Sequence, residues 1–132
     1  PNTIHEPNYS MYDNEEIPEP TIPQWISTEA CPYDLLQHRT MWNSVRMKPN
    51  ELRKARGVYY GKITNMDHQL GRLLGKIRAD GSLEDTWIIY TSDHGEMLGD
   101  LDDMGKSTFL EASTHVVILQ EWSRLRILQA RA

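Results

Sequence analysis

Directly after the apolar run Trp87-Ile88-Ile89-Tyr90-Thr91, the sequence places a carboxylate, an imidazole and a glycine side by side in Ser92-Asp93-His94-Gly95-Glu96. Asp93 offers an anionic oxygen and His94 a neutral nitrogen, a donor pair that suits a divalent cation. Gly95 removes the side chain that would crowd a close approach of ligand or backbone. In open α/β sheets, functional groups gather where strands end, because the loops there are free and the scaffold is rigid. The plain alternative is a turn capped by Asp93, with His94 an ordinary polar loop residue. Lys106 follows in Gly105-Lys106-Ser107-Thr108. Near a metal, its ammonium group can hold an anionic oxygen and stabilise charge on a leaving group; alone, it is an ordinary solvated lysine.

Between them runs an acidic loop with Glu96, Asp100, Asp102 and Asp103. Asp100, Asp102, Gly105 and Glu111 fall at positions 1, 3, 6 and 12 of an EF-hand, but Met104 at position 5 supplies no oxygen. A β-rich run with Gly95 and Gly99 is also a poor entering helix. Cys31 has no activating partner nearby in sequence, so a buried or incidental thiol is the simpler account. A single cysteine excludes an internal disulfide framework and a Cys-based zinc site. His5, His38 and His68 stand isolated. Gly71 and Gly75 have GxxxG spacing among arginines and a lysine, which suggests close helix packing rather than a membrane helix.

The chain that positions these residues has 132 residues and a net charge of −5. That length fits one domain, and the charge disfavours a nucleic-acid partner, which would want a basic stripe. No apolar stretch approaches the roughly 20 residues of a membrane span, and no basic, apolar and small-residue succession opens the chain as a secretory signal would. All seven prolines lie at or before Pro49 and all eight glycines at or after Gly57. Residues 1–30 therefore read as an irregular, proline-rich loop region, with Tyr9, Met11, Tyr12, Ile17, Ile22 and Trp25 giving it apolar surface to lay over a larger body. Residues 32–47 are loosely helical. Residues 51–79 carry an apolar stripe through Val58 or Tyr59, Ile63, Met66, Leu70, Leu73 or Leu74, and Ile77, with Asn50 as a candidate N-cap and Asp80-Gly81 as a stop. Residues 86–91 and 115–119 have the β-branched, non-alternating character of strands buried on both faces. Helix, strand, loop, short helix and strand in this order indicate an α/β architecture with a largely parallel sheet.

Taken together, Tyr59-Tyr60-Gly61-Lys62-Ile63, Met66-Asp67-His68-Gln69-Leu70-Gly71, Asp85 through Asp100, Gly105-Lys106 and Glu111-Ala112-Ser113 resemble the sulfatase family of the alkaline-phosphatase superfamily. The likeness is strong over residues 50–116. It continues weakly toward the front, through Met11-Tyr12-Asp13 and Glu16-Ile17-Pro18-Glu19-Pro20. The resemblance implies a partial alkaline-phosphatase-like sandwich, with a mainly parallel sheet flanked by helices and incomplete in this chain. Residues 1–119 would be a later part of the catalytic domain, residues 50–119 its helix–strand–metal-loop–strand core, and residues 120–132 a divergent tail.

The resemblance also implies roles. Asp93 and His94 match the late pair of ligands to a divalent metal, usually calcium and less often magnesium, and Lys106 matches the lysine that binds the sulfate group and serves catalysis. The family hydrolyses sulfate esters with a formylglycine made from Cys or Ser in a C/S-x-P-x-R setting. No such setting occurs here, Cys31-Pro32-Tyr33-Asp34-Leu35 does not fit it, and the early aspartate pair is absent as well. The expectation is thus a sulfuric ester hydrolase of which this chain carries part of the active site and is inactive alone. The alternatives are a non-catalytic metal-binding fragment, or a phosphonate or phosphate ester hydrolase of the same superfamily. The expected partners are a sulfate ester and either the remainder of the catalytic domain or a second copy meeting the apolar flanks of the first strand.

Overall fold

The computed structural model describes residues 4–24, 31–33, 36 and 47–122, with the backbone alone at 120–122. The helical spacing expected over 32–47 falls mostly outside the described residues, as do Trp25, His38 and positions 123–132.

The dominant element is helix α1, Pro49–Ala79, of 31 residues and hence about 47 Å long. Pro49 stands at the first helical position, where its missing N–H leaves no bond unmade. Glu51 turns back so that its carboxylate accepts the Lys48 N–H at 2.8 Å, one half of a capping box. Lysine has no side-chain acceptor to return the other half. The expected cap, Asn50, lies inside the helix instead, because the Glu51 carboxylate draws the start back to Lys48. At the far end Asp80 N–H bonds the Lys76 carbonyl, and Gly81, at φ +75°, turns the chain off.

Residues 4–24 run as successive turns and extended backbone along the first half of α1. Arg53 donates to the Asp13 carbonyl at 3.0 Å and to the Glu15 carbonyl at 2.6 Å, and the hydroxyls of Tyr12 and Thr64 meet at 2.7 Å. Two glycines one helical turn apart make the approach close. A Cβ on Gly57 would stand 3.0 Å from Ile17 Cδ1, and one on Gly61 would stand 2.1 Å from the Asn8 carbonyl oxygen. Ile17 is buried there, with Tyr12 edge-on to Tyr60. The second half of α1 is barer: Met66 and Leu73 are exposed, and nothing described lies within 4 Å of a Cβ on Gly71 or Gly75. The GxxxG spacing therefore marks no close helix packing among the described residues.

A 3₁₀ turn at Leu83–Asp85 leads into strand β1, Trp87–Thr91. Thr86, expected in the strand, caps the turn by donating its hydroxyl to the Ser82 carbonyl at 2.6 Å. After a long loop comes a single helical turn, α2 (Glu111–Thr114), and then strand β2 (Ile118–Trp122). Strand β2 begins three residues later than the apolar run suggested. His115 is tied back to the Glu111 carbonyl at 2.8 Å and carboxylate at 2.7 Å, which spends residues 115–117 on leaving α2. The strand in turn runs past the boundary drawn after residue 119.

The two strands pair antiparallel, with Trp87 opposite Trp122, Ile89 opposite Gln120 and Thr91 opposite Ile118. The mainly parallel sheet expected from the element order is not what the described residues form. Residues 92–117 exceed the dozen or so that a parallel crossover needs, but they are spent on a loop closed on itself and on the four-residue α2, with no helix long enough to be laid over the sheet. Nor is β1 buried on both faces. Ile88 and Tyr90 are half-buried, and the Tyr90 hydroxyl lies 3.3 Å from Met66 Sδ on α1, whereas Trp87 is 53% and Ile89 66% exposed. No helix among the described residues is long and apolar enough to cross a membrane.

The glycines of α1 separate packing from helix propensity. Gly61→Ala should destabilise the 132-residue chain by about 1–3 kcal/mol through overpacking, while Gly71→Ala and Gly75→Ala should each stabilise it by about 0.5–1 kcal/mol by restricting the unfolded chain. Denaturant melts of the three variants check this. Shifts of one sign in all three would contradict the packing described.

Candidate active site

The site is a loop folded back on the end of β1. Gly95 comes first, and its backbone is pressed against α2. Its N–H donates to the Ser113 carbonyl at 2.7 Å, and a Cβ there would lie 2.0 Å from the Ala112 carbonyl oxygen. Only glycine permits that approach. Met97 follows, wholly buried, with the Thr108 hydroxyl against its sulfur at 3.7 Å. The loop closes where Met97 N–H donates to the Gly105 carbonyl at 2.8 Å and Gly99 N–H to the Asp103 carbonyl at 2.8 Å.

Tight reversal requires unusual backbone. Gly99 and Gly105 lie at φ +93° and +86°, and so, without glycine's freedom, do Leu98 at +49°, Leu101 at +57°, Asp102 at +61° and Ser107 at +82°. Such residues persist where the surroundings over-determine them, which is commonest at functional sites. Here the surroundings are α1 and the N-terminal run. Buried Arg56 donates to the Leu98 carbonyl at 2.7 Å and lies 3.5 Å from the Asp100 carboxylate, and Leu52 packs over Gly99. Thr21 donates to the same carboxylate at 2.9 Å and accepts Leu101 N–H at 2.8 Å. The acidic positions that imitate a calcium loop are thereby engaged elsewhere, Asp100 with Arg56 and Thr21, and Glu111 with His115. Leu98 and Met104 of this loop line a cavity of about 310 Å³ with Val58 and Tyr59 of α1. Burial, then the nearby Glu96 carboxylate and Tyr90, push the Tyr59 phenol above its ordinary pKa, so it stays protonated well into the alkaline range.

The loop brings Asp93, His94 and Lys106 to one point. His94 Nδ1 lies 2.7 Å from the Gly95 carbonyl oxygen, so the neutral ring carries its proton there and Nε2 is the acceptor. The Lys106 ammonium donates to Nε2 at 2.5 Å, and Asp93 Oδ2 stands 3.4 Å from the same nitrogen. An imidazole lone pair and a carboxylate oxygen that close repel each other unless a positive charge joins them, and the ammonium group supplies it. The same two donors can hold a dication. Two oxygen or nitrogen ligands at right angles on one calcium ion stand about 3.4 Å apart, and Asp93, with 84% of its side chain exposed, is open to one. Among the described residues no group of three or more His, Cys, Asp or Glu gathers into a metal site. Cys31 is exposed rather than buried, and no described contact links it to these three side chains. One participant escaped the sequence reading: Glu96, whose carboxylate accepts the Gly105 N–H across the loop. In the sequence it stands only as one acid of the acidic loop, two residues after His94.

Comparisons with known proteins give the family and the fold. The family model described as Sulfatase matches residues 4–125. An arylsulfatase of Clostridium perfringens is 34% identical over 110 residues, which take in 82% of this chain and 22% of that protein. The multifunctional alkaline phosphatase superfamily protein PehA of Trinickia caryophylli is 33% identical over 112 residues, 76% of this chain and 22% of the relative. Among solved structures, the phosphonate monoester hydrolase SpPMH from Silicibacter pomeroyi superposes with a TM-score of 0.79 at 27% identity, covering 92% of this chain and 26% of that one. The chain thus spans about a fifth of the length of the curated relatives it matches. Its fold is a portion of an alkaline-phosphatase-like hydrolase, and the chain belongs to the sulfatase family.

Proposed function

We propose that this chain supplies the cation-binding and anion-stabilising part of a sulfuric ester hydrolase, with Asp93 and His94 as metal ligands and Lys106 as the group that meets the sulfate. The observation that carries this is the meeting of a carboxylate oxygen, an imidazole lone pair and an ammonium group at the end of β1. Hydrolysis breaks the bond between sulfur and the alcohol oxygen, joins a water-derived oxygen to sulfur, and returns a proton to the departing alkoxide. A bound dication, calcium before magnesium, supplies Lewis-acid polarisation to such a reaction.

Each residue has a part consistent with its surroundings. His94 is held in the acceptor tautomer by the Gly95 carbonyl, the usual way a ligating imidazole is oriented from behind. Asp93 contributes the anionic oxygen. The Lys106 ammonium is a donor aimed at the place where negative charge would gather on the sulfuryl oxygens. Residues 92–110 hold the three together, while the group that attacks sulfur, a formylglycine in this family, is not encoded in this sequence. The binding groups of this reading are residues of this chain, and the turnover it proposes belongs to a full-length protein carrying them.

A phosphonate or phosphate ester is the second substrate class. It is favoured by the likeness to a phosphonate monoester hydrolase and to a relative named as multifunctional. Both esters present a tetrahedral anion to the same cationic groups. The exposed apolar residues Trp87, Ile89 and Ile118 of the sheet mark the surface that the remainder of a catalytic domain, or a second copy of this chain, would cover.

Three outcomes are expected. In a full-length protein carrying this segment, Lys106→Ala should lower kcat for 4-nitrophenyl sulfate by about 10²–10³-fold, and Asp93→Asn should weaken calcium binding by more than about tenfold, as followed by calorimetry. Undiminished turnover and affinity would refute the assignment. Relative kcat/KM for 4-nitrophenyl sulfate and a phenylphosphonate monoester decides the substrate class, and a preference for the phosphonate would replace the sulfatase reading. For the 132-residue chain alone, Ile89→Lys should reduce concentration-dependent self-association in sedimentation runs. Equal behaviour of variant and parent would remove the sheet face as a contact surface.

A further inference from the structure

We infer that Glu96 is the positioning residue of this site: by reach rather than by charge, its carboxylate clamps the loop whose closure holds the Lys106 ammonium against His94. The inference rests on the role proposed above for Lys106 and adds a residue to it.

Glu96 follows Gly95 and is half-buried. Its Oε1 accepts the Gly105 N–H at 2.5 Å and lies 3.5 Å from the Leu98 N–H. The next residue, Met97, donates its own N–H to the Gly105 carbonyl at 2.8 Å. Both polar groups of Gly105 are thus held by consecutive residues, one through a side chain and one through the main chain. A single attachment would leave the peptide planes around Gly105 free to swing; two fix them. Lys106 grows directly from that clamped residue, between Gly105 at φ +86° and Ser107 at φ +82°. A serine in the left-handed region stays there only when its neighbours leave no alternative. The ammonium reaches His94 Nε2 at 2.5 Å from this backbone, so a swing at Gly105 moves it off the imidazole. Charge is a weaker candidate for the function of Glu96. What its carboxylate accepts are backbone N–H groups, which ask for an oxygen at the right place.

Reach and charge are separable by two conservative variants. Glu96→Gln keeps the length and an acceptor oxygen but removes the charge. Glu96→Asp keeps the charge but withdraws the oxygen by about one bond length, about 1.5 Å, too far for a bond to Gly105. In the 132-residue chain, the nuclear Overhauser contact between the Lys106 ε-methylene and the His94 ring reads the position directly, and thermal melts confirm that both variants fold. The contact should persist in Glu96→Gln and vanish in Glu96→Asp. In a full-length protein carrying the segment, kcat for 4-nitrophenyl sulfate should fall about 10- to 100-fold in Glu96→Asp, as for a catalytic group displaced by about an ångström, with Glu96→Gln restoring most of it. Any other pattern overturns the inference: contact kept in both variants, lost in both, or lost only in Glu96→Gln, which would mean that charge is what matters. Lys106→Ala assayed beside them keeps the two proposals apart. If that variant turns over normally, the role of Lys106 fails, while the Overhauser contact still judges the clamp.

Discussion

Lys106 meets His94 because the chain between them closes on itself, and every other feature of the site follows from that closure. Ordering such a loop costs backbone entropy at each residue. The offsetting terms are visible: a fully buried methionine at Met97, main-chain bonds from Met97 to Gly105 and from Gly99 to Asp103, and a carboxylate clamp from Glu96. Two neighbours hold the closed loop from outside. Arg56 binds it from α1, and Thr21 binds it from the N-terminal run. The first half of the helix and the irregular residues before it therefore serve the loop, which explains why a run so rich in proline is packed against α1 at glycines 57 and 61.

The electrostatics of the tip follow from the same geometry. With its Nδ1 proton on the Gly95 carbonyl, His94 leaves Nε2 as an acceptor 3.4 Å from the Asp93 carboxylate. Two electron-pair donors so placed demand a cation. The ammonium of Lys106 meets that demand from within the chain. In the proposed enzyme Asp93 and His94 would hold a dication, and the Lys106 ammonium would be left for the anionic ester. One lysine would thus have two partners, imidazole in one state and substrate in the other, on a backbone that need not move. Membership of the sulfatase family gives this arrangement its chemical context. The chain covers about a fifth of the length of those relatives.

What was legible in the sequence was local. The periodic apolar stripe located α1 to within two residues at its start, and Asp80-Gly81 marked its end, because helix period and left-handed glycine are short-range properties. The run Trp87-Ile88-Ile89-Tyr90-Thr91 was legible as a strand for the same reason, and the Asp-His pair stood out at its end. What was not legible depended on through-space partners. The pairing direction of the strands went with a connection spent on a closed loop and one helical turn, with no crossover helix in it. The start of β2 was delayed by the bonds of His115 to Glu111. The helix start was moved to Lys48 by the reach of Glu51. The clamp at Glu96 joins residues nine apart through one side chain, and no spacing rule announces it.

The central claim is that Asp93 and His94 form one cation-seeking pair, and paramagnetic broadening in the nuclear magnetic resonance spectrum of the 132-residue chain tests it most directly, since it detects even weak binding. Substoichiometric manganese should broaden the His94 ring and Asp93 side-chain signals first and shift those of Lys106 as its ammonium is displaced. Broadening that begins instead at Asp100, Asp102 and Asp103, with His94 untouched, would contradict the account.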